Sequence, residues 1–152
     1  DLNQAIDARM MNDDYASLMA KVKWIDNYIR FGCDTLMQIE ECEEAIEMLM
    51  GKGFKGTFFL YTMIGAPNSN FEKDWQRREY WWKRQMECRE KKPGYNISFH
   101  IQPYIDFDNP NAIIPKWQRD MARWANNKAL NTSFPFCDYQ PRKGFSCSEY
   151  FE

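Results

Sequence analysis

The chain has 152 residues, of which 44% are hydrophobic and 28% charged, a composition typical of one folded domain rather than a disordered or fibrous protein. Its 20 Lys and Arg residues against 22 Asp and Glu residues give a formal net charge of −2, so the overall field does not attract nucleic acid or an anionic membrane. The most apolar stretch, residues 57–66, is far shorter than the ~20 residues that cross a bilayer. We therefore expect no membrane partner, and any nucleic-acid contact has to be local.

The N-terminal quarter predicts a strand, a helix and a second strand. Residues 4–11 predict a short buried strand on which the polar residues Asp7 and Arg9 lie two apart and point the same way. The next residues, Asn-Asp-Asp, can cap a helix. Its apolar side chains recur at helical spacing and predict one core-facing stripe: Tyr15, Leu18, Met19 and Val22. Residues 28–33 predict the second strand, which ends at Asp34.

The middle of the chain predicts a helix over 39–49, a strand over 57–64 and a long helix over 71–91. The strand is a continuous apolar run between glycines, which is typical of a strand covered on both faces. The first helix carries glutamates on its outer arc: Glu40, Glu41, Glu43, Glu44 and Glu47. We expect the long helix to turn these residues toward the core: Phe71, Trp75, Trp82 and Met86.

The C-terminal part predicts a strand over 96–104 and a helix that starts near Pro115. Trp117, Met121 and Trp124 lie on one face of that helix. The segment 131–152 is irregular and aromatic, and we expect it to pack on the body formed by residues 1–130.

Four consecutive strand–helix units predict an α/β fold with a parallel sheet and right-handed crossovers. The repeat of about thirty residues fits either half of a TIM-type (β/α) barrel or a small open sheet. In both folds ligands meet the carboxyl ends of the strands.

Polar residues at these strand ends are the candidates for a binding site. Asp7 and Arg9 could hold polar ligand atoms or form an internal ion pair, and Asp34 could bind a ligand or cap a helix. At the end of the last strand, Gln102 and Tyr104 offer an amide and a phenol to a cleft. The alternative for these two is a hydrogen bond to the C-terminal tail.

The segment 73–92 holds eight Lys and Arg residues against four Asp and Glu residues, with aromatic residues between them. Such a helix could bind nucleic acid, since aromatics stack on bases and cations contact phosphates. More often its long cationic side chains lie over apolar surface. We therefore regard nucleic acid as an unlikely partner.

Cysteine usage points to a reducing compartment. The five cysteines are odd in number and lie at long spacings that match no short zinc or redox motif: Cys33, Cys42, Cys88, Cys137 and Cys147. Reduced thiols in the cytoplasm are the simplest interpretation, and no basic-then-apolar signal peptide begins the chain. We expect no metal site built on the single His100.

Five blocks of sequence resemble the later half of radical S-adenosylmethionine (radical SAM) proteins. They are Asn-Gln-Ala-Ile-Asp-Ala-Arg at 3–9, Tyr-Ile-Arg-Phe-Gly-Cys-Asp at 28–34, Phe-Leu-Tyr-Thr-Met-Ile-Gly at 59–65, Gln-Pro-Tyr at 102–104 and Met-Ala-Arg-Trp-Ala-Asn at 121–126. The chain is most similar to the bacterial and phage branch that ends in an arginine-tryptophan-asparagine helix. The blocks cover nearly the whole chain in matching order, although no single block is a unique signature.

The resemblance implies a partial (β/α)6 barrel, a [4Fe-4S] cluster on a CxxxCxxC loop, and cleavage of S-adenosylmethionine to a 5′-deoxyadenosyl radical. It implies cofactor contacts at five residues: Asp7, Arg9, Asp34, Tyr61 and Gly65. We expect Gln102 and Tyr104 on the substrate side.

The sequence departs from this family where the cluster would bind. It contains no CxxxCxxC, and the closest cysteines, Cys33 and Cys42, have eight residues between them. We therefore expect a chain that cannot bind the cluster alone, with a missing N-terminal half-barrel as its partner; Asp1 in place of Met favours this interpretation. The alternative is a non-catalytic interaction module that pairs through open half-barrel edges, with another copy or another chain.

Overall fold

A computed structural model describes residues 4–152. Asp1 lies outside the described residues, and so does Asn3, the first residue of the first resembling block. The helices and strands follow one another in this order: α1 (Asp13–Met19), β1 (Tyr28–Gly32), α2 (Met37–Gly51), β2 (Thr57–Ile64), α3 (Phe71–Lys91), β3 (Asn96–Pro103), α4 (Lys116–Ala125) and α5 (Lys128–Ser133). Short 3-10 helices cover Ala8–Met10, Ile25–Asn27, Phe136–Asp138 and Cys147–Phe151.

The three strands form one sheet in the order β1-β2-β3. β1 and β2 are parallel, with Tyr28 opposite Thr57 at one end and Gly32 opposite Tyr61 at the other. Beside β2, the Asn96 N–H donates to the Gly56 carbonyl, and eight residues further along both strands Tyr104 N–H donates to Ile64. The second pair is therefore parallel too, and the predicted α/β fold with a parallel sheet is confirmed.

Burial alternates along the strands. In β2 every second side chain is buried, Thr62 and Ile64 among them, and the residues between them, such as Phe59 and Tyr61, are half-buried. β1 shows the same alternation, with Ile29 and Phe31 fully buried. The prediction that β2 is covered on both faces is therefore wrong. One face of the sheet is therefore buried and the other is only partly covered.

The predicted first strand is reduced to one residue. Ile6 forms an isolated parallel bridge with Phe31, and the chain then turns into a 3-10 helix. The cause is Asp7, whose carboxylate accepts the backbone N–H of Arg9 at 3.0 Å. A short polar side chain that bonds its own backbone competes with the pairing of a strand.

Helix α1 begins as predicted but buries a different face. The Asn12 side chain caps it by accepting the Tyr15 N–H at 2.8 Å. Met19 is buried, whereas Leu18 and Val22 are exposed, as is the ring of Tyr15. The prediction of one core-facing stripe is therefore wrong for three of its four residues, and this seven-residue helix leaves apolar surface open to solvent.

Helix α3 has the predicted bounds, but the prediction of its inward face is right only in part: Trp75 packs on the buried rings of Trp124 and Phe136, and none of the four predicted side chains is fully buried. The buried residues are not the apolar set expected from the spacing; they include Asp74, Arg78, Trp81, Gln85 and Cys88. Asp74 determines this orientation in part, because its carboxylate binds backbone and side-chain donors in the turn that precedes the helix. Polar contacts, rather than hydrophobicity alone, set the rotation of the helix.

The described chain divides into two compact units, 4–62 with 77–99 and 63–76 with 100–152. In the first unit, the core draws on β1, α2, β2 and α3; its largest fully buried side chains are Ile29, Phe31, Leu49, Phe58, Leu60, Arg78 and Trp81. In the second unit the core forms around α4; it includes Ile64, Ile101, Met121, Trp124 and Phe136. The expected inward position of Met121 and Trp124 is confirmed.

Within the second unit the C-terminal segment packs on α4. The rings of Trp124 and Phe136 lie 5.5 Å apart, and the Trp124 indole N–H donates to the carbonyl of Phe134 at 3.1 Å. The carboxylate of Asp120 receives Arg142 at 2.8 Å and the hydroxyl of Tyr150 at 2.6 Å.

Candidate ligand-binding site

In the first unit, Asp7 and Arg9 form a bidentate ion pair at the exposed end of the Ile6 bridge. The Arg9 Nε–H donates to both carboxylate oxygens, at 2.9 and 3.1 Å, and Nη2 binds the second oxygen. The hydrogen bond from the Arg9 side chain holds the pKa of Asp7 below its ordinary value. Because both groups remain accessible to water, the pair contributes little to stability and leaves polar atoms within reach of a ligand.

The structure places Asp34 in the exposed loop after β1. Its backbone N–H donates to the side-chain oxygen of Gln38 at 2.6 Å. Thr35 and Gln38 close the start of α2 reciprocally, since Thr35 Oγ1 accepts the Gln38 N–H and Gln38 accepts the Thr35 N–H. The Thr35 hydroxyl therefore satisfies a backbone N–H in the first turn of α2.

Tyr61 lies on the half-buried face of the sheet. Its ring contacts Phe59 with centroids 5.1 Å apart, and Phe59 contacts Tyr28 edge-on. Arg30, which pairs with Phe59 in the sheet register, lies over the Tyr28 ring at 5.6 Å. Sequence reasoning missed Arg30, although its spacing of two from Tyr28 predicts the same face of the strand.

Cys88 and two neighbouring thiols, Cys33 and Cys42, are buried in this unit. Cys33 and Cys42 are fully buried; Cys42 Sγ donates to the carbonyl of Gly32, and the Trp81 indole N–H donates to Cys33 Sγ at 3.3 Å. The interaction with the neighbouring Cys42 thiol, followed by the Trp81 N–H, lowers the pKa of Cys33, whereas the same interaction and burial raise the pKa of Cys42. This pair is enclosed by the core and offers no ligand to a surface site.

The second unit contains a cavity of about 410 Å³ at the carboxyl ends of β2 and β3. Gly65 and Tyr104, both expected at a site, line it together. The loop after β3 and the start of α4 complete the wall, which also contains Ile105, Asp106, Asn109, Pro110, Ala112, Ile113, Ile114, Pro115 and Gln118. Apolar walls with a few convergent polar groups are typical of a small-molecule site.

Gly65 determines the shape of the cavity at the end of β2. Its φ is +74°, a left-handed conformation that favours glycine. Its N–H donates to Asp74 at 2.7 Å, and Ser69 donates its hydroxyl to the other oxygen of the same carboxylate at 2.6 Å. The Gln118 amide lies against the glycine, in the space that a side chain at position 65 would need.

Gln118 is the chemically distinctive residue of the cavity. It is only 6% exposed, and its side chain forms no hydrogen bond with another residue of 4–152. Because the residue lines the cavity, its amide is available to water or to a ligand there. The amide supplies one donor and one acceptor side by side, which suits a planar group with a complementary edge.

Gln102, the remaining predicted residue, does not line this cavity. It is exposed, and its amide donates to the Pro103 carbonyl at 3.4 Å. Sequence reasoning missed Gln118, Asp106 and Asn109. The aspartate and asparagine belong to a loop that follows a strand end, which was a usable signal; nothing in the spacing of α4 marks Gln118.

Among residues 4–152, no three His, Cys, Asp or Glu side chains are grouped so that they could hold a metal ion. In the same range no helix combines the length and apolar character needed to cross a membrane.

Comparisons of the chain with protein-family models, with curated proteins and with solved structures found no match. The class defined here is thus an α/β protein with a three-stranded parallel sheet and a cavity at the strand ends.

Proposed function

We propose that this chain is the C-terminal part of a radical SAM enzyme, in which it supplies the substrate-side wall and part of the S-adenosylmethionine pocket. The resembling sequence blocks suggest the family, and one structural observation carries the proposal: the order and burial of the parallel strands. Ile6, β1, β2 and β3 are neighbours in chain order, and each strand buries one face only. A doubly wound sheet reverses its strand order, whereas a barrel wall keeps the strands in chain order, and half of a barrel leaves its inner face only partly covered.

The open edge of the sheet supports the same proposal. Within the described range Ile6 has a bridge to β1 and no strand on its other side. The first unit also exposes large apolar side chains: Met10, Tyr15, Leu18, Val22, Ile25, Leu36 and Met37. Exposed apolar surface marks an interaction site, and the N-terminal strands and helices of a barrel would cover it.

The lining of the cavity in the second unit supports a role in binding the adenosyl part of the cofactor. Ile105, Ile113 and Pro115 offer apolar walls, and the Gln118 amide offers a donor and an acceptor to the edge of a base. The cofactor, when bound, supplies the radical chemistry, and these residues bind and orient it. The exposed Asp7–Arg9 pair is assigned to polar atoms of the cofactor or substrate.

The residues present do not fit a [4Fe-4S] cluster. Cys33 and Cys42 are enclosed in the first unit, and the described chain has no third ligand grouped with them. Cluster binding is therefore assigned to residues outside this chain. The five cysteines are free thiols, in keeping with the reducing cytoplasm in which we place the enzyme.

Anaerobic reconstitution with iron and sulfide tests the proposal. We expect the 152-residue chain to give neither a stoichiometric [4Fe-4S] spectrum nor cleavage of S-adenosylmethionine, and a longer protein translated through the same reading frame to give both. A cluster on the 152 residues alone, or a longer protein without a CxxxCxxC loop, would overturn it. In that longer protein Gln118→Ala should weaken S-adenosylmethionine binding roughly tenfold, as expected for one lost hydrogen bond of a buried amide. The exposed Gln140→Ala should leave binding unchanged.

Asp7→Ala and Arg9→Ala test the separate assignment of this pair to polar ligand atoms. Since the pair is exposed, both variants should fold normally while turnover in the longer protein falls. If circular dichroism showed that either variant is unfolded, the ion pair would have a structural role rather than a role in binding.

A second candidate function is a non-catalytic module that pairs through the open edge beside Ile6, and the exposed apolar side chains of the first unit favour it. Light scattering that shows a monomer over a wide concentration range would exclude self-pairing. Nucleic-acid binding through α3 has less support. Arg77 and Arg78 are buried, and Arg84 is paired with Glu43 and Glu87.

A further inference from the structure

Helix α4 carries a row of cations without anionic partners. Lys116, Arg119 and Arg123 are exposed and lie three and four residues apart, which places them on one face. Within residues 4–152 none of the three side chains forms an ion pair or a hydrogen bond. On α3, Lys83 is paired with Glu79 and Lys91 with Glu87, whereas the exposed Lys73 and Arg89 form no ion pair within the described residues.

The same face forms one wall of a groove of about 310 Å³ in the second unit, and Pro141 and Arg142 form the other wall. Arg142 is held firmly, since its guanidinium donates to Asp120 at 2.8 Å and lies 3.7 Å from the centre of the Phe145 ring. Asp120 is buried and also accepts the Tyr150 hydroxyl. The one carboxylate that lines the groove is therefore already bound by Arg142 and Tyr150, and the lining keeps an excess of positive charge.

We propose that this α4 face binds the phosphate backbone of double-stranded nucleic acid. Seven helical residues separate Lys116 from Arg123, a rise of about 10 Å. That length matches about three phosphate-to-phosphate steps of one strand, each about 3.4 Å along the duplex axis. Proteins that grip single strands add aromatic platforms for the bases, and no aromatic side chain lines this groove. The inference does not depend on the proposed radical SAM function.

The net charge of −2 does not oppose this binding, because it is the local excess that contacts the phosphates. Binding of this kind is independent of sequence, with dissociation constants of roughly 10⁻⁴ to 10⁻⁶ M at physiological salt. It also depends steeply on salt. With about three phosphate contacts, affinity should fall about 40-fold between 50 and 200 mM salt.

Fluorescence anisotropy with a labelled 20-base-pair DNA of mixed sequence tests the inference on the full 152-residue chain. The double variant Arg119→Glu/Arg123→Glu removes two of the three cations, which have no internal partners, so the fold should survive. We expect affinity at 50 mM salt to fall at least tenfold and the log–log salt slope to fall by about two. The matched control Lys21→Glu/Lys23→Glu makes the same change in net charge on exposed residues of the first unit, and it should bind as the unaltered chain does.

Equal weakening of both double variants would reduce the effect to net charge and overturn the inference. So would a lack of binding by the unaltered chain at 50 mM salt, or tighter binding of a single strand than of the duplex. Vesicles with phosphatidylserine provide the last comparison: binding to vesicles but not to duplex would assign the face to a membrane surface and overturn the proposal.

Discussion

The side-chain amide of Gln118 fills the space in which a side chain on residue 65 would lie. Gly65 ends β2 in a left-handed conformation, and Gln118 reaches it from the first turn of α4. A helix that starts more than fifty residues later therefore completes the turn at the end of a central strand. The contact joins the most regular strand of the fold to the cavity that we assign to a ligand.

Gly65→Ala should be strongly destabilising. Alanine in a left-handed conformation costs about 1–2 kcal/mol, and displacement of the Gln118 amide adds about 1–3 kcal/mol. The matched control is Gly144→Ala, because Gly144 has the same φ of +74° and no atom within contact distance of a new β-carbon. Urea unfolding should therefore show a loss of about 1–2 kcal/mol for the control and a clearly larger loss for Gly65→Ala.

The double variant Gly65→Ala/Gln118→Ala separates the two causes. Removal of the amide should return the stability to that of the Gly144→Ala control. Equal losses for the two alanine variants would show that the Gln118 contact contributes nothing.

The ion pair of Arg84 and Glu43 should contribute more to stability than the exposed pairs of α3. Arg84 donates to both oxygens of Glu43 and to Tyr95, and its side chain is only 19% exposed. Arg84→Ala leaves a half-buried carboxylate without its cation, so we expect a loss of about 2 kcal/mol in the free energy of unfolding. Lys83→Ala breaks an exposed pair with Glu79 and should change it by less than about 0.5 kcal/mol. Similar losses for both variants in thermal and urea unfolding would contradict this expectation.

His100 should titrate below the ordinary value of about 6.5. Burial disfavours its charged form and lowers its pKa. The unfolded chain then binds more protons than the folded chain between the two pKa values, so stability is fully present above pH ~6.5 and is lost as the pH falls through the folded pKa. Because the chain has one histidine, its ring protons in a proton NMR titration report this pKa without overlap. His100→Gln should flatten the pH dependence of the free energy of unfolding in this window. An unchanged pH dependence would show that carboxylates, rather than His100, cause it.

Local patterns predicted the elements well where one residue type dominates a segment. The apolar run at 57–64 and the cap signals before α3 matched β2 and α3 at their ends. Hydrophobic periodicity gave wrong predictions where side chains bind polar partners. Asp7 bonds the backbone of Arg9, so the predicted strand is a 3-10 helix, and on α3 the buried position is held by Asp74 rather than by the aromatic residues that the spacing predicted. Such contacts join residues whose pairing depends on the path of the chain, so hydrophobic spacing does not contain them.

The sequence by itself determined the alternation of strands and helices, the parallel sheet and the polar character of the strand ends, because each follows from short-range spacing and turn residues. Of the predicted site residues, Gly65 and Tyr104 come together in one cavity and Asp7 binds Arg9. Only the tertiary structure decided that Gln118 meets Gly65 and that the cations of α4 remain unpaired. Both facts depend on which groups, far apart in the sequence, the folded chain brings within hydrogen-bonding distance. The spacing of residues along the chain does not give those distances.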